Sequence, residues 1–337
     1  MLTVVVGGFF GDEGKGKIAG YIGLAKNYNY AVRTGAINAG HTIVYNGKTY
    51  KLRCIPTSFI NPSTKLVIPP GALIRLDVFS KEIEETNTRN RVFIDYQTGV
   101  IEEQHVVRER EDAVLKSIGS TLQGVGAAMM DRVARRLKLA RDFVELREFL
   151  VDTALLLNTA LDNGEKILVE GTQGTYLSLY HGTYPYVTSR DTTASGILSE
   201  IGIGPKRVDN IVVVFKAYVT RVGEGPLEGE LKPEEAEKRG WVEKASVTGR
   251  LRRAAPFNFK LAERAVMLNS ATCIAITKLD ALFPEASHVR SWDKLPGEAK
   301  KWIEEVESVL KKPVVLIGTG EFLEDVVDRT RDLGVEL

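Results

Sequence analysis

The sequence predicts an α/β protein built on a large, open, mostly parallel central sheet, with helices on both faces and small hairpin excursions. Three observations predict it. Short apolar runs recur at residues 2–6, 30–34, 65–68, 91–94, 166–170, 211–217, 272–277 and 314–317, and several lack polar alternation. Such runs mark strands buried on both faces, as parallel strands are. Helical periods lie between many of these runs, and strand–helix alternation is the mark of an open α/β sheet. The chain has 337 residues, 44% of them apolar, which is enough to bury a sizeable core. No repeat, low-complexity stretch or linker interrupts it, so residues 1–337 are expected to form a single domain.

In chain order, Leu2-Thr3-Val4-Val5-Val6 reads as the first strand and runs into a glycine-rich loop. Residues 42–45, Asn46-Gly47 and residues 48–52 read as a β-hairpin, because Asn-Gly accepts the positive φ that a type I′ turn needs. Residues 150–161 carry a strong helical period that stops at Asn163-Gly164. The stretch 223–249 mixes glycine, proline and charge and reads as an exposed excursion. Residues 257–268 and 296–310 are further helices.

Several classes of function are excluded. The net charge of +1 lacks the basic excess of a nucleic-acid footprint. No apolar run approaches the roughly 18 residues of a membrane span. The N-terminus has no basic region or small-residue cleavage site. Cys54 and Cys273 lie far apart beside apolar residues and read as buried thiols in a reducing compartment. A cytoplasmic protein with neither nucleic acid nor membrane as partner is expected.

The loop Gly11-Asp12-Glu13-Gly14-Lys15-Gly16-Lys17 follows the first strand. Glycines let backbone N–H groups approach phosphate oxygens, and a helix N-terminus adds partial positive charge. Lys15 and Lys17 supply full charges. The spacing of Gly11 and Gly16-Lys17 matches a P-loop, but Ile18 stands where a metal-ligating Ser or Thr belongs. Asp12 is then the obvious alternative ligand. Downstream, the strand 274–276 runs into Thr277-Lys278-Leu279-Asp280. A carboxylate there accepts hydrogen bonds from guanine N1–H and its 2-amino group, which favours GTP over ATP. A regulatory GTPase and a nucleotide kinase are the rival classes. Ile18 speaks against the first.

Further segments extend the pattern: Asn38-Ala39-Gly40-His41-Thr42, Glu170-Gly171-Thr172-Gln173-Gly174-Thr175, His181-Gly182-Thr183-Tyr184-Pro185-Tyr186-Val187-Thr188, residues 216–223 and Val247-Thr248-Gly249-Arg250. With the glycine loop and residues 277–280, in this order, they resemble the adenylosuccinate synthetase family. The resemblance spans nearly the whole chain. It implies joining IMP to L-aspartate at the expense of GTP, through a 6-phosphoryl-IMP intermediate, with one Mg²⁺ at the site and a homodimer.

The resemblance also assigns residues. Asp12, His41 and Gln173 would be catalytic, with Asp12 accepting the N1 proton of IMP. Asp12 and the Gly40 carbonyl would ligate Mg²⁺. GTP would contact Gly11, Asp12, Glu13, Gly14, Lys15, Gly16, Lys17, Gly40, His41, Thr42, Arg252, Lys278, Leu279, Asp280, Gly318, Thr319 and Gly320. IMP would contact residues 12–15, Asn38, Ala39, Gly40, His41, Thr121, Gln173, Thr188 and Arg250, with Arg135 reaching its phosphate in the neighbouring subunit. Ser246, Val247, Thr248, Gly249, Arg250, Leu251 and Arg252 would take the carboxylates of L-aspartate. The sequence departs from the family at Leu122-Gln123, where Gly-Arg is usual, at Leu251, which interrupts an arginine run, and at Ser189-Arg190-Asp191.

Overall fold

The computed structural model describes residues 1–245 and 249–337. Its centre is a ten-stranded sheet: β1 (Leu2–Gly7), β2 (Tyr30–Arg33), β3 (Lys65–Ile68), β4 (Val92–Asp95), β5 (Leu150–Val151), β6 (Ile167–Glu170), β7 (Asn210–Lys216), β8 (Cys273–Thr277), β9 (Val314–Gly318) and β10 (Val326–Asp328). The spatial order is β10-β9-β8-β7-β1-β6-β2-β3-β4-β5. Every neighbouring pair is parallel except β9–β10. The chain therefore leaves β1 toward both sides of the sheet. In open α/β sheets, ligands bind outside the carboxyl ends of the strands at such a point.

The central strands are wholly buried, which is why their sequences do not alternate. Successive side chains pack on opposite faces. Val4, Val169 and Val32 share a core with the helices Thr153–Asp162, Ala194–Ile201, Phe259–Asn269 and Gly297–Leu310. Val5 and Leu168 face α1 (Lys15–Ala25) on the other side, through Ile18, Ala19 and Ile22. The hairpin pairs His41–Tyr45 with Lys48–Leu52, and Asn46 and Gly47 both have positive φ.

Three differences from the sequence reading have local causes. The helix expected at 150–161 begins at Thr153, because Asp152 accepts the N–H of Leu155 at 2.9 Å and caps it. The two residues before the cap form β5. Asn258 likewise caps the helix Phe259–Asn269. The 223–249 stretch is more than an exposed excursion. Trp241 is buried and stacks on Tyr218 with ring centroids 4.5 Å apart, and Leu227 and Ala236 are buried as well.

Candidate active site

The loop between β1 and α1 is folded by its own acid. Gly11, Asp12 and Gly14 take φ of 87°, 65° and 77°. Glu13 is buried and faces inward. Its Oε1 accepts the N–H groups of Phe9 at 3.0 Å and Gly11 at 2.9 Å, and its Oε2 accepts Lys15 Nζ at 2.7 Å. Lys17 Nζ donates to the carbonyls of Gly320 at 2.6 Å and Asp325 at 2.9 Å. Burial lowers its pKa to about 8, against the opposing pull of Asp325. The loop's two lysines thus hold protein oxygens: Lys15 the loop's acid, Lys17 the segment after β9. Ile18, in the first turn of α1, is wholly buried against the sheet. Gly16 must lack a side chain, since an added Cβ would meet His41 Cβ at 2.6 Å.

That close approach sets His41 against the loop. His41 Nδ1 is hydrogen-bonded to Glu170, the last residue of β6. Glu170 is 1% exposed. Its Oε2 also accepts the N–H of Thr57 at 2.7 Å and its hydroxyl at 2.9 Å. Arg33, its register partner on β2, lies 3.6 Å away. Burial and the Arg33 charge lower the His41 pKa to about 4, although Glu170 pulls it upward. Burial pushes Glu170 up, but His41 and Arg33 bring it below the ordinary carboxylate range. At neutral pH the imidazole is therefore uncharged. With Nδ1–H donated to Glu170, Nε2 is the nitrogen left for a ligand.

Asp12 faces a second charge cluster. Its Oδ1 accepts Arg252 Nη2 at 2.9 Å. The other arm of Arg252 is bound by Glu243. Glu243 also accepts Lys216 Nζ at 2.8 Å and the Tyr218 hydroxyl. Burial would raise the Glu243 pKa, but Lys216 and Arg252 bring it down to about 2. Asp12 is raised, because burial outweighs the attraction of Arg252 and Lys216.

Of these groups, Asp12, Lys15, Lys17, His41, Lys216, Glu243 and Arg252 line one cleft of about 750 Å³. Its walls gather Gly11, Asp12, Gly14, Lys15, Gly16 and Lys17 with Asn38, Ala39, Gly40, His41 and Thr42. They also include Thr121, Gln173, Thr188, Arg250, Arg252, Lys278, Gly318 and Gly320. Other expected contacts lie elsewhere. Leu279 is wholly buried, and Thr319 donates its hydroxyl to Val289 O at 2.6 Å. Arg135 is exposed, outside the lining, with a φ of 60°. Leu251 is 62% exposed and points away from the cleft wall. Ser246, Val247 and Thr248 lie outside the described residues. Asp280 Oδ1 is buried with no hydrogen-bond partner among the described residues.

The family model described as adenylosuccinate synthetase matches residues 4–144 and 137–285. The chain belongs to the adenylosuccinate synthetase family. It is 48% identical to the adenylosuccinate synthetase of Methanocaldococcus jannaschii over 98% of this chain and 97% of that protein. It is 48% identical to that of Pyrococcus horikoshii over 97% and 98%. Among solved structures, the fully ligated adenylosuccinate synthetase of Plasmodium falciparum matches with a TM-score of 0.91 at 26% identity, over 97% of this chain and 99% of that one. The succinoaminodeoxyadenylate synthetase of cyanophage S-2L, bound to dGMP and to dATP as an energy donor, matches with a TM-score of 0.81 at 25% identity, over 97% and 95%.

Four residues of this cluster were given no role by the sequence reading, although Glu170 and Lys216 stand within the segments that carry the family resemblance. Glu170 and Lys216 are charges that end otherwise apolar strands, and that contrast could have marked them. Glu243 sits in an irregular stretch with no pattern to single it out. Glu109, on the helix Glu103–Glu111, lines the cleft and accepts the N–H groups of Gly124 and Gly126 at 2.6 Å each and of Ala127 at 3.3 Å. It caps the helix Val125–Val133, which follows the Thr121 loop.

Proposed function

We propose that the chain joins IMP and L-aspartate in a GTP-dependent reaction, giving adenylosuccinate, GDP and phosphate. The carrying observation is one cleft whose lining gathers the glycine loop and Asp12 with His41, Arg250 and Arg252. The 6-oxo group of IMP is a poor leaving group, so the synthesis needs two steps. Asp12 accepts the N1 proton of IMP as the general base of a pre-organised site. The O6 oxygen then attacks the γ-phosphorus, and the bond to the bridging oxygen breaks. His41, oriented by Glu170, meets the transferred phosphoryl group through Nε2. The aspartate amine next attacks C6, and phosphate leaves. Asn38, Thr121, Gln173, Thr188 and Arg250 hold IMP, and the loop up to Arg252 takes the aspartate carboxylates.

The donors for a divalent cation are oxygens, the Asp12 carboxylate and the Gly40 carbonyl. Among the described residues no group of three or more His, Cys, Asp or Glu could hold a metal. So sparse a set suits one Mg²⁺ that completes its shell with water and phosphate oxygens. When bound, the ion offsets charge on the phosphoryl group in flight.

The buried, unpartnered Asp280 Oδ1 supports GTP as the donor. A buried acceptor is costly until a donor meets it. Guanine brings N1–H and a 2-amino group, whereas adenine brings no such pair. Arg135, exposed and outside the cleft wall, is read as reaching the neighbouring site of a homodimer. No helix among the described residues is long and apolar enough to cross a membrane. The two free, buried cysteines fit a cytoplasmic protein. The test is an assay with GTP, IMP and L-aspartate, omitting each in turn. Adenylosuccinate should form only when all three are present. GTP hydrolysis that ignores IMP and aspartate would refute the reading.

A further inference from the structure

The carboxylate read above as a metal ligand is already paired. Arg252 Nη2 lies 2.9 Å from Asp12 Oδ1, and the arginine side chain is only 11% exposed. Arg252 is held at this station twice over. Its Nη1 is bound by Glu243, and its backbone N–H donates to Glu243 O at 2.9 Å. Glu243 in turn is fastened to Lys216 at the end of β7 and to Tyr218. One guanidinium is thus bracketed by two carboxylates. Glu243 is anchored to the sheet, and Asp12 belongs to the glycine loop. The fit is incomplete, because Arg252 Nε is buried without a hydrogen-bond partner among the described residues.

We propose that Arg252 is an exchangeable counter-ion, which neutralises Asp12 until a divalent cation takes that carboxylate. Glu243 is the positioning residue that keeps Arg252 in reach. The inference rests on the reading of Asp12 as a metal ligand. The two cations exclude one another because both need the same carboxylate, and their like charges would stand only a few ångströms apart. Release of Arg252 also frees a fork suited to carboxylates, on the loop read as the aspartate site. Asp12 therefore holds the arginine in the way a substrate carboxylate would.

The test is Mn²⁺ binding to the full chain with no nucleotide present, followed by the electron paramagnetic resonance signal of free Mn²⁺. Arg252→Gln removes the competitor and leaves Glu243 paired with Lys216 and Tyr218, so the core beneath it is kept. Its Mn²⁺ affinity should rise at least about ten-fold over the parent, and adding Asp12→Asn should abolish the gain. If Arg252→Gln binds Mn²⁺ no more tightly while Asp12→Asn still weakens binding, the counter-ion inference fails and the metal reading stands. If Asp12→Asn changes nothing in either background, both fall.

Discussion

His41 shows how a residue acquires a property that its type does not carry. Burial and Arg33 hold its pKa near 4, well below the ordinary value of about 6.5. It is therefore neutral at pH 7, with its one ring proton donated to Glu170. To donate from Nε2 to a phosphate it must take up a second proton, and a triphosphate in the cleft raises its pKa. GTP binding at pH 7 should thus draw up to about one proton from solution. Calorimetry in buffers of different ionisation enthalpy measures this directly, and His41→Asn should abolish the uptake. Equal uptake by the variant would refute it. Asp280 makes a second prediction at this scale. Asp280→Asn replaces an acceptor-only carboxylate with an amide, one edge of which is a donor. The preference for GTP over ITP or ATP should fall by roughly 10²-fold or more. Competition kinetics with the three nucleotides check it, and an unchanged preference would sink the base-reading role. The histidine, the aspartate and the glycine loop were all legible in the sequence. The lysine contacts were not. A long flexible side chain reaches many partners, and only the fold chooses Glu13 for Lys15 and two carbonyls for Lys17.

At the scale of elements, helix starts decide much of the site. The helix Val125–Val133 begins at the cleft, and an uncapped N-terminus there would itself attract anions. Glu109 already satisfies three of its N–H groups, with a carboxylate only 2% exposed. On the proposed reading, contacts to IMP on this wall therefore fall to side chains such as Thr121. Glu109→Ala should cost about 2–3 kcal/mol of stability through the lost charged cap. It should also raise the KM for IMP, because the helix anchors the Thr121 loop. Urea unfolding and IMP titration test both effects. A variant as stable as the parent would show that the cap is dispensable. The preceding loop places Leu122 at a φ of 53°, a conformation that favours the glycine usual in the family. Gln123, where arginine is usual, accepts Arg53 Nη2 at 2.6 Å. Eight of the ten sheet strands were readable as apolar runs, but the two shortest, β5 and β10, were not, and neither were the element boundaries. They depend on single caps such as Asp152 and Asn258.

Across the whole molecule, the sheet brings residues distant in the chain to the carboxyl end of β1. Glu13 and Thr277 are in contact there, with the Thr277 hydroxyl 2.7 Å from Glu13 O. The proposed homodimer gives a prediction at this scale. If Arg135 serves the neighbouring site, Arg135→Ala and Asp12→Ala chains, each inactive alone, should complement when mixed. Hybrid dimers carry one intact site, so activity should recover to about a quarter of the parent's. No recovery, with hybrids confirmed by mass spectrometry, would refute the shared site. The sequence by itself determined the α/β class, the hairpin, the glycine loop and the family. These are written in local periodicity and in short motifs whose chemistry is carried by residue type. Only the tertiary structure decided which charges face one another. The pairs His41 with Glu170, Arg252 with Asp12, and Lys17 with the segment after β9 join residues 129, 240 and about 300 positions apart. Pairing over such separations follows from strand order and register, and no local pattern records it.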